Sequence, residues 1–176
     1  MEYAFIALGA LLALIIAVVL IRAALFKPKA QVSEDAEEII FDTDSSIKRL
    51  CSLVKCKTVS YKDHSLEDDR EFQKLIDMLP SLYPGVFDQC TFFMFPDRGL
   101  LFKWEGRSHE KPAVMMAHFD VVPVNEDQWD KPAFEAIIED GVIWGRGTLD
   151  TKVTFNGILS AAEHLISEGF VPDHDI

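Results

Sequence analysis

Hydrophobic and polar positions divide this chain sharply. From Tyr3 to Ile21 no residue is charged, and Leu, Ile, Val and Ala dominate; Arg22 follows, then four more apolar residues, Ala23 to Phe26. At about 1.5 Å per residue, such a run predicts a helix long enough to cross a hydrocarbon core of roughly 30 Å. Lys27 to Asp42 ("KPKAQVSEDAEEIIFD") reads as a polar, acidic linker. Beyond it the apolar spacing changes to 3–4. Ile47, Leu50, Cys51 and Val54 predict an amphipathic helix capped by Asp44 or Ser45. "KTVSYKDHSLEDD" reads as a loop. Phe72, Leu75, Ile76 and Leu79 predict a second helix, closed by Pro80 and Pro84.

Shorter apolar runs follow. "TFFMF" and "GLLFKW" predict two strands around the turn "PDRG". Lys111-Pro112 introduces a strand from Ala113 to Ala117. "AFEAIIEDGVIWGRG" predicts a hairpin turning at Asp140-Gly141. Phe155, Ile158, Leu159, Ala162, Leu165 and Ile166 repeat at helical spacing, with Gly169 as the cap and Pro172 beyond it. Helices alternate with strands, so the expected class is an α/β layer fold. There is no internal repeat and no low-complexity tract.

The first apolar run reads as an uncleaved anchor. A signal peptide would carry a basic segment ahead of a shorter apolar stretch, and here only Met1 and Glu2 precede it. Arg22, Lys27 and Lys29 flank its downstream end, so positive-inside reasoning places the rest of the chain in the cytoplasm. The formal net charge of -12 over 176 residues argues against a nucleic-acid partner, which selects basic surfaces. The three cysteines, Cys51, Cys56 and Cys90, fit neither a disulfide framework nor zinc-knuckle spacing, and read as buried or inert thiols.

Polar groups interrupt the apolar run "AVMMAHFDVV" at His118 and Asp120. Residues two apart on a strand share a side. A carboxylate beside an imidazole accepts its N–H and fixes the tautomer, as for metal-binding histidines. The end of a strand in an α/β sheet is also where ligands sit. Asp150 follows "GRGTL" where the long helix begins. Alone it would read as a helix cap. Gly145 and Gly147, however, allow tight backbone geometry there, Lys152 lies two residues on, and a carboxylate can bridge two cations.

With these residues in view, "MMAHFDVVPV" followed by "WDKPAFEAIIEDGVIWGRGTLDTK" resembles the M20 family of zinc metallopeptidases, which includes carboxypeptidase S-like, aminoacylase-like and dipeptidase-like enzymes. The resemblance runs from about Ile47 to Ile176 and takes in "KTVSY" and the Phe72–Leu79 helix. It implies that residues 43–176 are the N-terminal part of a three-layer mixed-sheet catalytic domain, preceded by a transmembrane anchor (1–26) and the linker (27–42). It implies that His118 is a zinc ligand, that Asp120 is the catalytic carboxylate orienting it, and that Asp150 bridges two zincs and precedes a cis peptide. Co2+ or Mn2+ would be substitutes. The implied activity is metal-assisted hydrolysis of amide bonds in peptides or N-acyl amino acids. In the family a Glu-Glu pair after the long helix supplies the general base. Glu163, Glu168, His164 and His174 do not match that pair or the later ligands. The chain is therefore expected to be the front part of a longer, single-pass membrane protein and not competent by itself. The alternative is a non-catalytic, membrane-tethered domain, truncated or decayed.

Overall fold

The computed structural model describes residues 2–27 and 39–176 and divides the chain into two units, Met1–Ile39 and Ile40–Ile176. Most of the expected linker therefore lies outside the described residues. The first unit holds helix α1, Glu2–Leu25. It is the one helix among the described residues long and apolar enough to cross a membrane: Tyr3–Leu25 has a mean hydropathy of 3.2, and none of its most apolar stretch is buried.

The second unit is built on α2 (Thr43–Val54), α3 (Asp69–Leu82), α4 (Pro84–Gln89) and α5 (Lys152–Ser167), with two antiparallel hairpins. Strand β1 (Thr91–Phe95) pairs with β2 (Gly99–Lys103), and β3 (Ile137–Glu139) pairs with β4 (Val142–Trp144). The class is α/β, as expected. Leu53, Leu75, Leu79, Tyr83, Trp104, Phe155 and Leu159 form the main core, which joins the inner faces of α2, α3 and α5. Both hairpins form where the sequence places them. Asp140 and Gly141 turn the second one with φ of 51° and 77°, the left-handed pair that a two-residue turn needs. Helix α5 ends as expected: Gly169 has φ of 72°, its N–H reaches the Ile166 carbonyl, and the Phe170 N–H reaches that of Leu165.

Several expectations are corrected. The cap of α2 is Asp42, not Asp44 or Ser45; its carboxylate accepts the Ser45 N–H at 3.0 Å. A cap bonds the amide three residues on, so the helix starts earlier than its apolar face does. Pro80 does not close α3 but sits inside its last turn, where it forfeits a single ladder bond, to the Ile76 carbonyl. Pro84 opens α4 at a position whose N–H would be unpaired anyway. The segment Ala113–Ala117 is not in a buried strand. Beyond the Ala113 N–H, which bonds the Asp175 carbonyl at 2.9 Å, its backbone finds no ladder partner among the described residues, and Val114 and Met116 are 76% and 83% exposed. Its apolar composition can be buried only if further strands or helices cover it. Cys56 and Cys90 are buried, and burial pushes the Cys90 thiol up to about 11.

Two carboxylates tie irregular segments to this core. Glu67 accepts the Tyr61 N–H and pairs with Arg98, which itself stacks 3.6 Å over Phe72. Asp175 accepts the Gly106 N–H and faces His109 and Lys103. The main-chain bond from Tyr61, with Arg98, holds Glu67 down at about 2, and that from Gly106, with His109 and Lys103, does the same for Asp175. Unfolding restores ordinary values, so between about pH 4.5 and pH 2 the unfolded chain binds more protons. The stability these groups contribute is therefore complete above that window and is lost as pH falls through it. Urea midpoints should be level from pH 7 to 5 and then drop, and Glu67→Gln with Asp175→Asn should flatten the drop. A midpoint unchanged down to pH 2.5 would contradict this.

Candidate metal centre

From His118 to Val121 the side chains alternate between solvent and core. Phe119 turns inward, with ring centroids 6.3 Å from Phe72 and 5.7 Å from Phe155. Val121 is buried as well. His118 and Asp120 are thereby sent to the opposite side. The chain Thr58–Ser60 runs alongside and locks this segment. Thr58 accepts the Val121 N–H at 2.8 Å, the Ser60 N–H donates to the Val121 carbonyl at 2.9 Å, and the Thr58 hydroxyl donates to the Phe119 carbonyl at 2.6 Å.

Asp150 arrives from the other direction, at the end of the turn that follows β4. That turn is narrow. A Cβ on Gly145 would stand 2.6 Å from Val54 Cγ1, and one on Gly147, whose φ is +89°, would stand 2.8 Å from Val121 Cγ1. Both glycines are therefore required by close approach, and Gly147 also by its backbone. The Asp150-Thr151 peptide is cis. Asp150 is not the helix cap: that position is Thr151, which makes no side-chain capping bond. Lys152 points away from the site. Its ammonium is fully buried and donates to the carbonyls of Leu53 at 2.9 Å and Cys56 at 2.7 Å, which roots the start of α5 on the end of α2.

The three residues singled out in the sequence come together. His118 Nδ1 lies 3.1 Å from Asp120 Oδ1 and 3.1 Å from the Asp120 carbonyl. On the other side of the ring, His118 Nε2 lies 3.5 Å from Asp150 Oδ1. All three side chains are open to solvent. Two donors on a tetrahedral zinc, with bonds of about 2.0–2.2 Å, stand roughly 3.4 Å apart. The Nε2···Oδ1 pair thus has the span of one edge of such a site. No third donor joins it: among the described residues no group of three or more His, Cys, Asp or Glu side chains is placed to hold a metal ion. Glu163 instead accepts the N–H groups of Gly85 and Val86, and His164 packs edge-on against Phe41.

One polar neighbour escaped the sequence reading. The Ser60 hydroxyl donates to Asp120 Oδ2 at 2.6 Å. Nothing in the local pattern of "KTVSY" marks it, because its partner lies 60 residues away.

The family model described as Peptidase family M20/M25/M40 matches residues 114–176, the stretch that carries His118, Asp120 and Asp150. The chain belongs to peptidase family M20. Among M20-type relatives, it is 32% identical over 157 residues to a "Probable carboxypeptidase S-like 2" of Dictyostelium discoideum, covering 85% of this chain and 30% of that protein. It is 34% identical over 144 residues to "Carboxypeptidase S" of Saccharomyces cerevisiae, covering 76% of this chain and 25% of that protein. It is 45% identical over 62 residues to "N-fatty-acyl-amino acid synthase/hydrolase PM20D1" of Homo sapiens, covering 35% of this chain and 12% of that protein. The chain thus spans less than a third of the length of these relatives.

Proposed function

We propose that this chain is the N-terminal part of a membrane-anchored, two-zinc M20 hydrolase that cleaves amide bonds in peptides or N-acyl amino acids. The observation that carries the reading is the convergence of His118 Nε2 and Asp150 Oδ1 to 3.5 Å, with Asp120 behind the ring, inside the M20-matching stretch. The substrate classes follow the names of the relatives.

In this reading each residue has one task. Asp120 takes the Nδ1–H of His118, which leaves the Nε2 lone pair free to bind zinc. Asp150 has two oxygens, enough for two cations. A bound zinc supplies Lewis-acid chemistry, polarising an amide carbonyl and making water more acidic. Asp120→Ala should therefore lower the activity of the complete enzyme about tenfold to a hundredfold, through ligand orientation alone. A fold that keeps its stability but loses that activity, in a peptide and N-acyl amino acid hydrolysis assay, supports the role; wild-type rates exclude it. By itself the 176-residue chain should hydrolyse neither substrate, because its described residues bring two donors together and a working zinc site uses more. The three-layer mixed sheet would be completed by strands that cover Val114–Ala117.

The same reading makes α1 a single-pass anchor, with residues 43–176 on the cytoplasmic side by positive-inside reasoning from Arg22, Lys27 and Lys29. Its 23 residues Tyr3–Leu25 reach about 34 Å as a helix, enough for a hydrocarbon core. Deleting Met1–Phe26 should move the protein from the membrane pellet to the soluble fraction. An intact chain found soluble would remove the anchor from the account, and cleavage near Ala23 would make the segment a signal sequence.

A further inference from the structure

We propose that Ser60 is a positioning residue for the metal-facing histidine, acting through Asp120. The inference rests on the reading of His118 as a ligand and adds the residue that holds its carboxylate in place. The Ser60 Oγ–Asp120 Oδ2 distance of 2.6 Å falls in the short range of about 2.5–2.7 Å found for a hydroxyl bonded to a carboxylate. The other carboxylate oxygen, Oδ1, faces His118 Nδ1 at 3.1 Å. Each oxygen thus has its own partner, and turning the carboxylate breaks at least one of the two contacts.

Ser60 is itself held rigidly. Its N–H bonds the Val121 carbonyl, and two residues earlier Thr58, fully buried, bonds Phe119 and Val121 by hydroxyl and carbonyl. Two main-chain bonds at Val121 and the Thr58 hydroxyl on the Phe119 carbonyl already fix the backbone on either side of Asp120. The serine hydroxyl is not needed for that pairing, and its bond goes to the carboxylate. Thr58–Ser60 therefore delivers two kinds of contact: main-chain bonds and the Thr58 hydroxyl that place the segment, and one side-chain bond that sets the angle of the Asp120 carboxylate. Without it, the carboxylate is free to swing toward solvent, and the Nδ1–H of His118 keeps only the Asp120 carbonyl at 3.1 Å. The Nδ1–H tautomer, which leaves Nε2 able to bind metal, is then less favoured.

The test is the tautomer of His118, read from ring-nitrogen chemical shifts of the full chain in detergent micelles, at a pH where the ring is neutral. The unaltered protein should show Nδ1–H. Ser60→Ala should raise the Nε2–H population severalfold while the thermal midpoint stays close to wild type, and Ser60→Thr should restore the original balance. A serine that merely supports the fold would move the midpoint and leave the tautomer alone, which would overturn the proposal. An unchanged tautomer in a folded Ser60→Ala chain would do the same. If Ser60→Ala does not fold, the unaltered protein decides: its Ser60 hydroxyl proton should exchange slowly enough to be seen, and a freely exchanging one removes the bond. Adding Co2+ separates the two readings. A tautomer that shifts in Ser60→Ala, with no Co2+ bound at His118 in the unaltered chain, keeps the positioning role and discards the metal.

Discussion

His118→Ala should abolish amide hydrolysis by the complete enzyme while leaving the fold intact. The ring is more than half exposed and contributes to no core cluster, so its loss should cost little stability. Its loss does remove one of two donors that face each other across 3.5 Å. A metal that polarises a carbonyl and acidifies water contributes several kcal/mol to the barrier, and each 1.36 kcal/mol is about a tenfold rate. A fall in kcat/KM of roughly a thousandfold or more follows, against the tenfold to hundredfold expected for Asp120→Ala. The order of the two effects matters as much as their size. Equal losses would mean that both carboxylate and imidazole touch the substrate or that neither orients the other. Steady-state assays at saturating zinc, with circular dichroism to confirm folding, would settle the order.

Lys152→Ala should be the most damaging change to the fold. The ammonium is wholly buried and carries two hydrogen bonds to main-chain carbonyls at the end of α2. Burial draws it down to about 8, and its two acceptors are what make it tolerable there. Truncation takes one donor from each of the Leu53 and Cys56 carbonyls, which keep the Cys56 and Thr58 N–H groups. Each lost bond to a charged donor is worth about 1.5–3 kcal/mol, and a cavity the length of the side chain opens. A loss of about 3–5 kcal/mol is expected, a large share of a typical domain's stability. Lys152→Met keeps the volume and removes only the bonds, so it should cost less. Urea unfolding of the three proteins measures both steps. If alanine and methionine cost the same, packing is irrelevant and the bonds account for the whole effect. If neither costs more than about 1 kcal/mol, the buried lysine is not what joins α5 to α2.

The sequence singled out three residues that lie together in the structure and missed part of what frames them, for identifiable reasons. His118 and Asp120 stood out as polar residues inside an apolar run, and Asp150 through its neighbours Gly145, Gly147 and Lys152. Asp140-Gly141 and Gly169 were readable because left-handed backbone leaves a residue signature. Pro80 and Pro84 misled because proline marks both the stop and the start of a helix, and only the surrounding chain decides which. Asp42 was passed over because a cap bonds three residues onward, ahead of the apolar face. The exposure of Val114–Ala117 could not be read at all. An apolar run reports what a segment needs to bury, while burial depends on neighbouring strands, and among the described residues only Ala113 at its edge is paired. Ser60 was invisible for a similar reason: its role exists only once "KTVSY" and "AHFDVV" lie side by side.

The central claim is that His118 and Asp150 face one divalent cation. Zn2+ titrated into the unaltered chain, with its five histidines labelled with nitrogen-15, tests that claim most directly. The account predicts that the Nε2 signal of His118 moves on metal addition while Nδ1 keeps its proton, that His64, His109, His164 and His174 respond less, and that Asp150→Ala weakens the response. A His118 Nε2 signal unmoved at millimolar Zn2+, or a response unaffected by Asp150→Ala, would contradict it.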